Sequence, residues 1–194
     1  MIKITNAVKQ QANKIARYIM LAMNHECCKN FAGSSHTLED FHNMMTRLVA
    51  REDSQYSYKN TLVALDEDSE AVIGVCVSYD GADLHRLRKA FIEEAIKEFG
   101  IDYSGIDDET EKDELYIDSL AVDERYRNMG IASALLKATC KKAESLNIPS
   151  TGLLVDCGNP KAEQLYSKLG FKYLNDTAWG GHKMKHLQKQ IIDK

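Results

Sequence analysis

The sequence predicts an α/β protein. Three observations carry that reading. From residue 114 onward, stretches with strand and helix signatures alternate and end in an antiparallel pair. Before that, helical stripes flank two strand-like runs joined by an acidic turn. The length of 194 residues fits a single domain. A chain of that size buries ~70% of its unfolded surface and needs no staples.

The elements follow in order. Residues 2–5 form a short strand. Ala12, Ile15, Ala16, Ile19, Ala22 and Met23 repeat at helical spacing. A second stripe is Leu38, Phe41, Met44, Met45, Leu48 and Val49, with Thr37 as N-cap. Met20, Met23, Met44 and Met45 read as packing residues. Strands at 61–66 and 71–79 flank the turn EDSE. A third stripe, Leu84, Leu87, Phe91, Ile92, Ala95, Ile96 and Phe99, ends at Gly100. The acidic stretch at 102–114 then reads as a solvated loop; the sharper alternative is a rim that attracts a cationic substrate. A strand at 114–122, a helix at 131–146, a strand at 151–157, a helix at 160–169 and strands at 171–178 and 182–187 complete the chain. Asn159 caps the last helix, Pro160 opens it and Gly170 closes it.

Composition excludes several classes. Hydrophobic residues are 44% and charged residues 28%, so global disorder is not expected. Twenty-five basic against 29 acidic side chains leave a net charge of −4, which argues against nucleic acid as the main partner. No apolar run approaches the ~18–20 residues that cross a bilayer, and the N-terminus lacks a signal peptide's apolar core. The five cysteines are odd in number and form no C-x-x-C pair, which fits a reduced, cytoplasmic setting. His182 and His186 lie four apart on an extended segment and share no helical metal face, so no metal is expected.

Arg127, Asn128, Met129, Gly130, Ile131 and Ala132 lie between a strand and a helix. A helix N-terminus exposes unpaired N–H groups and a partial positive charge. Gly130 lets a phosphate approach the backbone, and Arg127 and Ser133 add charge and a hydroxyl. The turn lacks the full dinucleotide or P-loop signature, which counts against a mononucleotide-binding module. In the preceding strand, Leu115 and Ile117 alternate with Glu114, Tyr116 and Asp118, and then Leu120 and Val122 fall on the opposite parity. Such a phase change marks either a β-bulge or a strand buried on both faces.

DSLAVDERYRNMGIASALL resembles the acyl-CoA-binding core of the GNAT superfamily of acyl-CoA N-acyltransferases. Arg127, Gly130 and Ala132 match its (R/Q)-x-x-G-x-(G/A) pattern. NPKAEQLYSKLGFK resembles the superfamily's other recurring segment, with Asn159, Ala162, Tyr166, Gly170 and Phe171 in place. The two segments fall within residues 115–173. The resemblance implies an α+β fold, a mixed, mostly antiparallel sheet of about seven strands, splayed in the middle and flanked by helices. It makes 1–194 one domain with a helical, acidic insertion at about 83–113. It implies acetyl-CoA as co-substrate and no metal. The amides of Asn128 to Ser133 would hold the CoA pyrophosphate. The Leu120, Ala121 and Val122 backbone would pair with the pantetheine arm, with the Leu120 amide at the thioester oxygen and Asn159 on the far side. Tyr166 takes the position of the general acid.

The base is assigned on chemistry, because an ammonium has no lone pair and must lose a proton before it attacks. Asp118 is the first candidate, with Glu114 and Tyr116 weaker on the same nominal face. Tyr79 and Asp80 are candidate acceptor-pocket residues; Trp179 is a pocket wall or ordinary packing. Cys157 is expected to be packed, so no cysteine is placed for a relay. The expected activity is direct transfer to a primary amine on a small molecule or peptide. The alternative is a non-catalytic acyl-CoA-binding regulatory module. Pairing through the insertion helix or the last strands would suit a homodimer.

Overall fold

The structure, a computed structural model, describes residues 1–192. Its strands are β1 (Ile2–Asn6), β2 (Thr61–Asp66), β3 (Val72–Asp80), β4 (Glu114–Val122), β5 (Ser150–Asp156), β6 (Lys172–Trp179) and β7 (His182–Gln190). Its helices are α1 (Ala12–Met23), α2 (His25–Ala32), α3 (Leu38–Ala50), α4 (Leu84–Phe99), α5 (Ile131–Ser145) and α6 (Pro160–Lys168). The seven strands form one sheet in the order β1-β2-β3-β4-β5-β7-β6. Only β4 and β5 run parallel; every other neighbouring pair is antiparallel.

Side chains of α1, α3 and α4 form one core with Val63, Val75 and Val77 of the sheet. α5 and α6 pack in a second core with Leu62, Ile73, Ile117, Leu153 and Leu187. The sheet thus lies between two helical layers, and β3 is buried along nearly its whole length. Met20, Met44 and Met45 are buried in the first core.

The first half holds one helix more than the sequence reading. Asn24 adopts a left-handed φ of 67°, ends α1 and caps α2 by accepting from the Cys27 N–H at 2.9 Å. α2 buries only Cys28, Phe31 and Ala32, too few positions for a legible stripe. Thr37 caps α3 reciprocally with Asp40, and Gly100 ends α4 in the left-handed region. In α4, Arg88 and Ala90 are buried, whereas Ile96 of the expected stripe is exposed.

The splay follows from register. β4 pairs with β5 only from Glu114–Ser150 to Ile117–Leu153. On its other side, Ser119 faces Val77 and Ile117 faces Ser78, so Asp118 is the extra residue of a bulge. Beyond it, β4 stays with β3 while β5 stays with β7. The β5-facing edge of β4 from Asp118 to Val122 has no strand partner. Backbone polar groups left in this way call for another partner.

Candidate active site

A cavity of about 510 Å³ occupies the opening between β4 and β5. That is the size of a small-molecule site. The end expected from the sequence to take the acyl donor, called the donor end below, is lined by Leu120, Ala121, Val122, Arg127, Ala132, Asn159 and Tyr166. Its other end is lined by Met23, Asn24 and Cys27 at the α1–α2 junction, with Tyr56, Glu109, Tyr116, Trp179, His182 and Met184. Asp118 lies on the wall that both ends share.

The donor end is built locally. Asn128 and Gly130 take left-handed φ values of 63° and 78°. Nothing lies within 4 Å of where a Gly130 Cβ would project, so glycine is required there by conformation and its open side faces free space. The first intrahelical bond of α5 runs from the Ala134 N–H to the Gly130 carbonyl at 3.0 Å. The amides of Ile131, Ala132 and Ser133 precede it, and Gly130 offers no side-chain cap. An anion is the natural partner of such a terminus. Ile131 itself buries its side chain in the core, and Met129 is exposed.

On α6, Asn159 accepts the Ala162 N–H at 3.2 Å. The Gly170 N–H reaches the Ser167 carbonyl at 3.0 Å, and the Phe171 N–H reaches the Tyr166 carbonyl at 3.1 Å. Gly170, at φ 88°, permits this double closure. It brings the Phe171 ring edge-on to Tyr166, with centroids 6.0 Å apart. Burial, with Cys76 nearby, raises the Tyr166 pKa, so the phenol stays protonated at neutral pH.

Asp118 accepts from Ser119 Oγ at 2.7 Å and from Gln55 Nε2 at 3.3 Å. Burial and the neighbouring Glu109 push its pKa up to about 7 despite those two donors. Gln55 Nε2 also reaches Glu109 Oε1 at 3.3 Å. Glu109 accepts further from Tyr79 Oη at 2.8 Å and from the Arg88 guanidinium. Arg88 in turn donates to the Ile106 and Asp107 carbonyls and to Asp108. Gly81 lets this return loop pass against the end of β3, since a Cβ there would collide with the Glu111 carbonyl.

The weaker acceptor-pocket candidates divide. Tyr116 lines the cavity. Tyr79 lies behind it, edge-on to the Tyr116 ring with centroids 5.7 Å apart, and donates to Glu109. Asp80 turns to cap the chain after β3, accepting the Ala82 N–H at 3.0 Å. Glu114 is sealed at the other end of β4, held by His186 at 2.7 Å, Gln188 at 2.9 Å and Thr110 at 2.8 Å. Its position on the nominal face of Asp118 is spent on a buried pairing four residues away. Trp179 is a cavity wall and also packs on Phe31, with centroids 5.9 Å apart. Cys157 is exposed rather than packed, at the turn that follows β5.

The acidic stretch also departs from expectation: Glu109 is neither solvated nor on a rim but 5% exposed inside the molecule. No sequence signal separates Glu109 from its acidic neighbours, and none marks Gln55 in its polar loop.

Comparison with known proteins agrees with this architecture. The model of the acetyltransferase (GNAT) family matches residues 30–171. An N-alpha-acetyltransferase of Sulfurisphaera tokodaii is 43% identical over 58 residues, which span 29% of this chain and 35% of that relative. A crystal structure of an acetyltransferase is 29% identical with a TM-score of 0.81, over 98% of this chain and 100% of that one. The N-acetyltransferase of Staphylococcus aureus Mu50 shares the fold at 24% identity and a TM-score of 0.80, over 96% of this chain and 100% of that one. With an unpaired, splayed β4 edge, an uncapped α5 terminus and a family match across most of its length, this chain belongs to the GNAT family of acetyltransferases.

Proposed function

We propose that the protein transfers an acetyl group from acetyl-CoA to a primary amine by direct attack in a ternary complex. One observation carries this reading: a carboxyl with a pKa of about 7 and a phenol held neutral by burial line the same cavity. A general base and a general acid are thereby present together near neutral pH.

The donor end fits a CoA moiety. The α5 amides, Arg127 and the open side of Gly130 suit a pyrophosphate. The unpartnered β4 edge at Leu120, Ala121 and Val122 suits an amide-bearing pantetheine arm. Asn159, whose Oδ1 is engaged as a cap, retains its side-chain NH₂ as a donor. The bound co-substrate supplies an acyl thioester.

The chain's own groups do the rest. Asp118 accepts one proton from the entering ammonium and passes it to solvent. The Leu120 amide donates to the thioester oxygen as negative charge develops there. Tyr166 protonates the departing sulfur and is reprotonated by the second proton that the nitrogen sheds. Cys27 lines the cavity, but burial raises its thiol pKa, which favours direct transfer over a thiolate relay.

The test is release of free CoA thiol from acetyl-CoA against a panel of primary amines. Amine-dependent release is expected. Binding without amine-dependent release would overturn the catalytic reading in favour of a regulatory acyl-CoA module.

A further inference from the structure

The segment between β3 and β4 brings a carboxylate into the acceptor end of the cavity. Glu109 is 5% exposed and is fixed by three donors, Arg88, Tyr79 and Gln55. Arg88 is itself buried and holds the returning loop through the Ile106 and Asp107 carbonyls. This is a rigid delivery of one charge, unlike a solvated acidic surface.

Gln55 joins that charge to the base. Its Nε2 sits 3.3 Å from Glu109 Oε1 and 3.3 Å from Asp118 Oδ2. In this orientation the amide NH₂ faces both carboxyl groups. Gln55 is 3% exposed, and its Oε1 has no hydrogen-bond partner among the described residues. A buried acceptor left in this state calls for a donor. Gln55 itself stands behind the cavity wall that Glu109 and Asp118 form, and the wall's own charge favours a cation. Glu109 and Asp118 both line the cavity, and Arg88, the cation beside them, is shared between Glu109 and Asp108. The walls at Tyr56, Tyr116 and Trp179 are aromatic and suit a cation.

We propose that Glu109 and Asp118, bridged by Gln55, form the ammonium subsite of the acceptor pocket, so that the acceptor is selected as a cationic alkylamine. The inference rests on the acetyl-transfer reading for the amine's fate. Glu109 is a positioning and specificity residue; Asp118 takes the proton. In the empty site a proton on Asp118 balances the charge, and in the filled site the ammonium does.

The groups that bear on Asp118 come from several elements. Glu109 and Arg88 belong to the β3–β4 segment, Gln55 and Tyr56 to the loop after α3, Tyr79 and Cys76 to β3, and Tyr116 and Ser119 to β4. Burial raises the Tyr56, Tyr79, Tyr116 and Cys76 pKa values, so these four stay neutral near pH 7. Glu109 and Arg88 are therefore the charges that count.

The experiment titrates ¹³C-labelled aspartate carboxyls in the intact protein, with Asp118→Asn to assign the signal, and measures KM for a cationic alkylamine. Glu109→Gln is expected to lower the Asp118 pKa by about one unit or more and to raise KM about tenfold. Dissociation of CoA should not change. Gln55→Met leaves the Arg88–Glu109 pair in place, so it remains informative if Glu109→Gln does not fold. It is expected to move the Asp118 pKa upward, because a donor to the carboxylate is lost. An Asp118 signal and a KM unmoved by either variant would overturn the subsite. The titration needs no turnover. A wild-type protein inert toward all amines would overturn the transfer reading and leave the carboxylate pair to be judged by the titration alone.

Discussion

The two ends of the cavity are built in different ways. The donor end comes from one continuous stretch, Leu120 to Tyr166, whose local backbone does the work: an unpaired edge, a left-handed turn and a helix N-terminus. The acceptor end gathers Met23 and Cys27 of the α1–α2 junction with Tyr56, Glu109, Tyr116 and Trp179, five separate places in the chain. Local geometry repeats as a motif because each residue type answers a backbone need. Long-range assembly leaves no such trace. The donor end is thus a local device, and the acceptor end is a product of the tertiary fold.

Asp118 stands where the two ends meet, and its removal is expected to have the largest effect. Asp118→Asn should lower kcat/KM by about 10³-fold, within the range for general bases. The acid limb of the pH–rate profile should vanish with it. Stability provides a second readout. The folded pKa of about 7 lies above that of a free aspartate, about 3.9, so the native state binds more protons between those values. Wild-type stability should therefore fall as pH rises from about 4 to about 7, and the asparagine variant should lack that fall. Urea melts at the two ends of this window measure it. Parallel curves would place the ionised form in a more favourable setting than its surroundings indicate.

Tyr166→Phe probes the donor end alone. Turnover should drop by about 10²-fold while CoA dissociation stays near wild type. The Phe171 contact and the helix closure at Gly170 depend on the ring and backbone, which phenylalanine keeps. Equal turnover would reduce Tyr166 to packing. Gly130 separates conformation from charge. Gly130→Ala carries only the strain of its left-handed φ, whereas Gly130→Glu adds a carboxylate at the α5 terminus. CoA binding by calorimetry should weaken about tenfold more in the glutamate variant than in alanine. Equal loss in both would remove the anion cradle.

The same contrast explains what the sequence made legible. The strand at 114–122, the α5 and α6 starts and the phase change at Ser119 are readable because caps, glycines and alternation are local, whereas the splay follows only from the resemblance. α2 was hidden because it buries few residues and begins at an asparagine cap without a stripe. Glu114 and Asp118 looked equivalent by alternation. What separates them is tertiary: His186 and Gln188 arrive across β5 to occupy Glu114, while the bulge turns Asp118 into the cavity. Glu109 is placed by Arg88, which pins its loop from 21 residues away in the sequence, and such a contact leaves no local pattern.

The smallest effect tests how the two ends are tied together. Lys142 of α5 reaches behind the bulge, donating to the Ser78 carbonyl at 2.7 Å and Ser78 Oγ at 3.1 Å. Burial lowers its pKa to about 8. The unfolded value is about 10.4, so the unfolded chain binds more protons between the two, and wild-type stability should rise across that window. Lys142→Met should abolish the rise in melts at pH 8 and 10.5. Turnover should change by no more than about twofold, since Ser119 and Gln55, not Ser78, orient the Asp118 carboxylate. A large loss of turnover would mean that the bulge is held open from the α5 side. The donor motif would then set the geometry of the acceptor base as well, and the two ends would be one device.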